Sequence, residues 1–183
     1  MPVYAYAGRR PRVAPDAYVH PDAVLIGDVT IGSEASVWPS AVLRGDAGAI
    51  GVGDRTSVQD GTVVHTTAEW PTLIGAGCVV GHNAHLEGCT VEDSCLIGSM
   101  SVVLNRARVG TGSVVGAAAL VPEDLAVPPG SMVLGVPGRV RPLTGEEHLE
   151  WIRYGVEHYV AEARRYPEVL RQVDLDDCRT ALT

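Results

Sequence analysis

The sequence predicts an all-β fold, a parallel β-helix of hexapeptide repeats with one helix laid along its outside, and three observations predict it. From Val91 to Ala126 a branched residue recurs every sixth position, at Val91, Ile97, Val103, Val109, Val115 and Val121. A small residue follows four places after each of the first five, at Cys95, Ser101, Ala107, Ser113 and Ala119. This spacing matches neither the roughly 3.6-residue period of a helix nor the roughly two-residue period of an ordinary strand. It is the period of a coil in which each repeat forms one short side and about three repeats close a turn. The second observation is composition: 21 Gly and 12 Pro among 183 residues, no Phe, and an apolar set dominated by Val and Ala. Such a set suits branched residues pointing inward between small corners rather than large aromatic wedges. The third is a change of period after Thr144, where apolar residues take helical spacing.

Taken in order, residues 1–12 read as a lead-in, with Pro11 and Pro15 keeping the chain extended. The repeat starts at Val13 and runs through Val19, Leu25, Ile31, Val37 and Leu43. Its small slot is filled by Ala17, Ala23, Val29, Ala35, Ala41 and Ala47. An insertion at Gly48–Gly51 then shifts the frame to Val52, Val58 and Val64, with Thr56, Thr62 and Ala68 in the second slot. Insertions leave a solenoid at its corners, so this one is expected to bulge outward. A second excursion, Thr67–Thr72, precedes Ile74, Val80 and Leu86, and one residue is missing before Val91. Residues one coil apart stack about 4.8 Å above each other, so about six coils give a prism roughly 30 Å tall.

The prism ends at Val127-Pro-Pro-Gly130, a turn-rich exit. Thr144-Gly-Glu-Glu147 has the spacing of a capping box, and Leu149, Ile152, Val156, Tyr159, Val160 and Ala163 form one helical stripe that should end before Pro167. Gly155 weakens that helix by about 1 kcal/mol. The expected organisation is therefore a β-helix domain with its lead-in and exit over residues 1–143, a helix over 144–166 and an irregular tail over 167–183.

The net charge of −8 argues against a nucleic-acid partner, which would want a basic stripe. No uninterrupted apolar stretch approaches a membrane span, and residues 1–10 lack an apolar signal-peptide core, which makes a cytoplasmic location the expectation. Cys78 and Cys95 fall in the small inward slot seventeen residues apart, Cys89 near a corner and Cys178 in the tail. Buried free thiols are the expected reading of the stacked pair, since no Cys-x-x-Cys motif is present.

The chemistry-bearing residues gather in one part of the repeat. Arg44, Gln59, His65 and Glu87 each follow an inward residue directly, and His82 comes one place later in its repeat. His65 and Glu87 should occupy equivalent positions in successive coils, close enough to share one ion. Asp46 and Asp60 are expected to accompany Arg44, fixing its guanidinium in a fork; an ordinary intersubunit ion-pair network is an equal reading of these three. Gln59 is placed to orient a small ligand or a water by hydrogen bonding. His85 lies mid-repeat and is expected to face outward. His20, His148 and His158 are expected to be solvated.

These residues stand in runs that resemble one family. Trp38-Pro-Ser-Ala-Val-Leu-Arg44-Gly-Asp46, Ser57-Val-Gln59-Asp60-Gly-Thr-Val-Val-His65, Val80-Gly-His82 and Gly88-Cys89-Thr90 resemble the γ-class carbonic anhydrases and their relatives from carnitine and phenylacetate operons. The resemblance covers about residues 10–165 and implies a left-handed coil, against the usual handedness of parallel crossovers. It also implies a homotrimer with metal sites between subunits, zinc held by three histidines (two from one subunit, one from its neighbour), and reversible hydration of CO₂. Two of those histidines match His65 and His82; the third position holds Glu87. Two imidazoles and a carboxylate still form a metal set, for zinc or for iron or another divalent ion. The extra negative charge would make a bound water less acidic, so weak hydratase activity is expected. The acidic proton-shuttle loop that the resemblance also implies is poorly matched by the excursion, which offers only Glu69. Two other functions remain open at this stage. Gly135-Val-Pro-Gly-Arg139 resembles the segment near coenzyme A in hexapeptide acyltransferases, which admits an acyltransferase or thioesterase, and Glu87 would equally mark a non-catalytic trimeric module.

Overall fold

The computed structural model describes residues 2–179. The repeat winds into a three-sided coil of parallel strands, and each side stacks its inward residues in one column. On the first side the column is Leu25, Leu43, Val64, Leu86, Val103 and Val121. On the second it is Ile31, Val52, Ile74, Val91, Val109 and Val127. The third runs Val19, Val37, Val58, Val80, Ile97, Val115 and Val133. Nearly all of these are fully buried, and together with small residues such as Ala35, Ala41, Cys78, Cys95 and Ala107 they form one core running the length of the prism. Each repeat contributes only one or two inward side chains, worth about 1.5–3 kcal/mol apiece, so the array and not the unit is stable.

The coil has about seven turns rather than six. Ser131–Leu134, beyond the expected exit, adds a rung to the third side, and Val3–Tyr4 and Arg12–Val13 pair with the strand Val24–Ile31 at the other end. Ser131–Leu134 then turns back through Gly135–Gly138 into the antiparallel strand Arg139–Pro142, which closes that end.

Both irregularities in the repeat lie where expected, though not with the expected slots. The strand Val42–Val52 continues through the first insertion, pairing Gly45 with Gly27 and then Ile50 with Val29. Four residues, Asp46 to Ala49, thus stand against the single Asp28. This bulge packs tightly on the second excursion, because a β-carbon at Gly48 would come within 2.4 Å of the Thr67 carbonyl oxygen. Ala68, assigned to the inward slot, is exposed, and Thr66 and Thr72 are buried in its place.

The C-terminal helix, Glu147–Val169, lies along the third side and buries Ile152, Val156, Val160 and Ala163. Val79, Leu96 and Val114 receive its upper part, and Tyr18 and Trp38 its lower part, together with Tyr159 and Tyr166. Two corrections apply to its ends. The first helical turn has Glu146 at its cap with no side-chain hydrogen bond, so the Thr144 capping box does not form. The helix also passes through Pro167, which helps to line an apolar groove with Val13, Ala17, Tyr18 and Leu170; packing there overrides the local preference against proline. Gly155 is a close-approach residue, since a β-carbon there would lie 3.1 Å from a Val79 methyl. Ion pairs from Arg55 to Glu157 at 2.6 Å and from Arg164 to Glu34 fasten the outer face of the helix to two corners.

Cys78 and Cys95 are buried and free, as expected, with the Cys95 amide 3.5 Å from the Cys78 sulfur, and Cys89 is buried as well. His20 corrects its solvated assignment. It is 8% exposed, its Nδ1 accepts a hydrogen bond from the Asp22 amide at 3.1 Å, and its ring meets the edge of Tyr18. Among the described residues no helix is long and apolar enough to cross a membrane.

Candidate metal centre

On the outer surface of the first side, alternation sends residues next to the inward column outward. Register stacks Ile26, Arg44, His65 and Glu87 in one such column, each about 4.8 Å above the last. The bulge then bends Asp46 back onto this column. Asp46 Oδ2 accepts a hydrogen bond from Arg44 Nη1 at 2.5 Å, and its Oδ1 lies 3.3 Å from His65 Nε2. His65 Nδ1 lies 2.9 Å from Glu87 Oε1. The remaining oxygen of Glu87, Oε2, is 3.4 Å from His85 Nε2. The result is a continuous polar chain, Arg44, Asp46, His65, Glu87 and His85, with the central side chains of His65 and Glu87 only 19% and 26% exposed.

The backbone beneath this chain is held by a residue that the sequence reading passed over. The buried Thr72 hydroxyl donates to the His65 carbonyl and accepts from the Gly88 amide at 2.7 Å, tying together the two strands that carry His65 and Glu87. Its only sequence signal is a Thr in an apolar slot just after an excursion. Gly88 itself has φ +57°, and a β-carbon there would meet the Asn105 side-chain oxygen at 2.1 Å, so a larger residue in the turn after Glu87 would have to displace Asn105. Trp70 of the excursion packs at the same corner, with the Arg106 guanidinium 4.3 Å above its ring.

Charge balance keeps both carboxylates of the chain ionised. The His65 contact is the largest influence on Glu87 and holds its carboxyl below the usual range, against the opposing effect of burial and with help from His85. For Asp46 burial is the largest influence and opposes ionisation, but the hydrogen bond and charge of Arg44, with His65, outweigh it and leave the carboxyl low.

The other expected residues sit elsewhere. His82 and Asp60 occupy the corner before the first side, with His82 Nδ1 2.8 Å from Asp60 Oδ2. Asp60 therefore meets His82 and not Arg44, which corrects the expected Arg44–Asp46–Asp60 grouping. Gln59 adjoins Asp60, is 4% exposed, and is fixed through its backbone to Val80 and Thr62. His82 and Asp60 line a cleft of about 440 Å³ with Trp38, His158, Tyr159, Glu162 and Tyr166 of the helix side. Among the described residues no three metal-binding side chains of one chain gather closely enough to hold an ion. His65 with Glu87 and His82 with Asp60 thus form two separate groups, at opposite ends of one face. The Gly135–Arg139 segment forms the hairpin turn at the far end of the prism.

No family profile matches the chain. The carnitine operon protein CaiE of Escherichia coli is 35% identical over 159 residues, which span 87% of this chain and 81% of that protein. The chain belongs to its family. Gamma carbonic anhydrase 2, mitochondrial, of Arabidopsis thaliana is 38% identical over 83% of this chain and 57% of its own length. Among solved structures, a hexapeptide transferase family protein from Anaplasma phagocytophilum superposes with a TM-score of 0.86 at 36% identity, covering 90% of this chain and 98% of that one. The CaiE and γ-carbonic anhydrase-like hexapeptide-repeat family therefore accounts for the coil, its helix and the runs around Arg44, His65 and His82.

Proposed function

We propose that this protein is a metal-dependent hydratase of CO₂ whose site is completed between protomers of a homotrimer. The observation that carries the reading is the register of His65 and Glu87, two donors 2.9 Å apart, together with His82 at the far end of the same face. One protomer can bring only one of these half-sites to a given point, so joining them requires a second copy. The donor chemistry fits a divalent ion, zinc in the first instance, because zinc accepts imidazole nitrogen and carboxylate oxygen together. His65 and Glu87 would hold it from one protomer and His82 from the next.

A bound ion there supplies Lewis acidity, which brings the pKa of a water down to about 7 and gives a nucleophile for CO₂. The chain's own groups do the rest. Arg44 and Asp46 fix the orientation of His65 through its Nε2 side, and Asp60 orients His82 through Nδ1. Gln59, held rigid at the His82 corner, offers an amide that accepts from the attacking water or donates to a substrate oxygen. The carboxylate of Glu87 adds negative charge to the donor set, which makes the water less acidic and the enzyme slower than one with three imidazoles. The test combines light-scattering mass, metal content and stopped-flow CO₂ hydration on protein purified without chelator. A trimer with about one divalent ion per subunit and hydration above the buffer rate, both lost in His65→Ala and His82→Ala, is the expected result. A metal-free trimer of equal stability refutes the reading.

A further inference from the structure

We infer that the N-terminal end of the coil is a docking surface for a second copy of this chain, whose C-terminal tail covers the open foot of the core. The inference goes beyond the metal reading and uses none of its residues. Three observations carry it.

The first is that the two ends of the prism differ. Val3 and Val13 stand at the foot of the first and second inward columns, in register with Leu25 and Ile31, and they are 44% and 41% exposed. No other member of those columns exceeds 3%, Val121 and Val127 at the far end included. The foot strands Val3–Tyr4, Arg12–Val13 and Tyr18–Val19 each pair along one edge alone among the described residues. A solenoid needs a covered terminal repeat, because an open one exposes its core and a row of unpaired backbone groups. An apolar groove of about 470 Å³ enters at this foot, between Val13, Ala17 and Val19 on the coil and Tyr166, Pro167 and Leu170 at the end of the helix.

The second is an unmatched apolar segment at the same end. Leu170 leaves the helix in extended conformation and lines the groove. Beyond it Val173 and Leu175 are 63% and 69% exposed, on either side of Asp174. Asp174 Oδ1 accepts the Asp176 amide at 2.9 Å, which sets Leu175 at the head of the 3-10 turn Asp176–Cys178. Within one chain the foot stays open and both tail side chains stay bare, so a single copy does not make the match.

The third is charge. Arg9 and Arg10 lie on the turn between the first two foot strands and are exposed; unlike Arg12, which pairs with Asp28, they form no ion pair among the described residues. The tail carries Asp174, Asp176 and Asp177, and of these Asp176 pairs with Arg179 on the open surface. A basic foot and an acidic tail are complementary. Because the helix brings its C-terminal end down to Tyr18, foot and tail lie at one end of the molecule. A two-fold axis at that end lays each tail over the other copy's foot, an isologous contact that satisfies both surfaces at once. In the proposed homotrimer the three feet share one end, and the contact pairs two trimers.

The experiment measures mass by light scattering on the full-length protein over a concentration series. The double variant Val173→Asp, Leu175→Asp alters side chains that are exposed in the free chain, and an unchanged circular dichroism spectrum checks its fold. The parent should have about twice its mass. Two charge variants, Arg9→Glu with Arg10→Glu and Asp176→Arg with Asp177→Arg, should each show the halved mass alone. Mixed, they should regain the parent's mass, because every foot then faces a tail of opposite charge. A parent no heavier than the tail variant at any concentration overturns the inference, and so do charge variants that keep the parent's mass unmixed. A mixture that stays dissociated overturns it too, since each tail would then close its own foot. Metal content and CO₂ hydration should be the parent's in all three variants, so docking and the metal reading fail separately.

Discussion

Thr72→Val tests whether the two strands that carry His65 and Glu87 are joined by a hydroxyl or by packing. The substitution keeps the shape of the side chain and removes one oxygen, so no cavity opens in the core. What it takes away is specific: the donor to the His65 carbonyl and the acceptor for the Gly88 amide. Thr72 is fully buried, so water does not replace it freely. Leaving one buried polar group unsatisfied costs about 1–3 kcal/mol, and the carbonyl has a second lone pair that lowers its share. A loss of about 2–3 kcal/mol is therefore expected. For a chain of this size each kcal/mol moves the melting point by about 2–4 °C, which puts the shift at about 4–12 °C. Urea denaturation at fixed protein concentration measures the loss, and Thr72→Ser, which retains the oxygen, should recover most of it. Metal affinity should fall with stability in the valine variant, because His65 and Glu87 would lose their common anchor. A valine variant within about 0.5 kcal/mol of the parent would refute the assignment of Thr72 as the strand tie.

Other expectations follow from particular contacts. Gly155→Ala should lower stability despite a helix-propensity gain of about 1 kcal/mol, because the new β-carbon would press on Val79 at 3.1 Å; with Val79→Ala present the same change should stabilise, and additive effects in this double-mutant cycle would contradict the contact. Glu34 is held below its ordinary value by hydrogen bonds from Arg164 and then Arg55, so its contribution is fully present above the unfolded carboxylate value of about 4.3 and is lost as pH falls through the lower folded value. The stability gap between the parent and Glu34→Gln should accordingly close in acid below about pH 4; a gap constant from pH 7 to pH 3 would count against the helix clamp. Burial pushes the Cys89 thiol up to about 12, and Cys78 and Cys95 are fully buried, whereas Cys178 is exposed. A thiol reagent at pH 8 should thus modify one cysteine quickly and the other three only on unfolding.

The scaffold was legible because the coil repeats its own rule. A branched residue every sixth position and a small one four later are enough to place Leu25, Leu43, Val64, Leu86 and Val103 in one inward column, and any residue beside that column is then outward by parity. That is why the register of His65 on Glu87 could be read from spacing alone. What spacing could not give lies where the rule breaks. The partner of Asp46 depends on how four inserted residues fold back against one, and no period describes a bulge. Asp60 was expected to help hold the Arg44 guanidinium, but one residue precedes the first side and the other lies within it, so within the chain His82 is the group that Asp60 meets. The solvated reading of His20 failed differently, and the helix cost of Gly155 was legible while its close approach to Val79 was not. His20 is enclosed by its near neighbours Tyr18 and the Asp22 turn, which the six-residue period does not describe, and Gly155 meets Val79, a residue distant in sequence.

The same division explains how such a prism can carry chemistry at all. Inward columns are committed to packing, and Leu86→Ala, sitting between His85 and Glu87, would cost about 2–5 kcal/mol. Outward columns carry no such obligation, so a polar ladder such as Arg44, His65 and Glu87 adds donors at fixed rises without disturbing the core. A ladder on one flat face, however, presents its donors along a line, while a tetrahedral ion needs them around a point. Rungs alone bring two side chains to within ligand distance; a third must come from the same strand two residues away, or from another copy facing this edge. Under the proposed assembly His82 is the donor that another copy would bring, and the metal content of His82→Ala beside that of His65→Ala tests it.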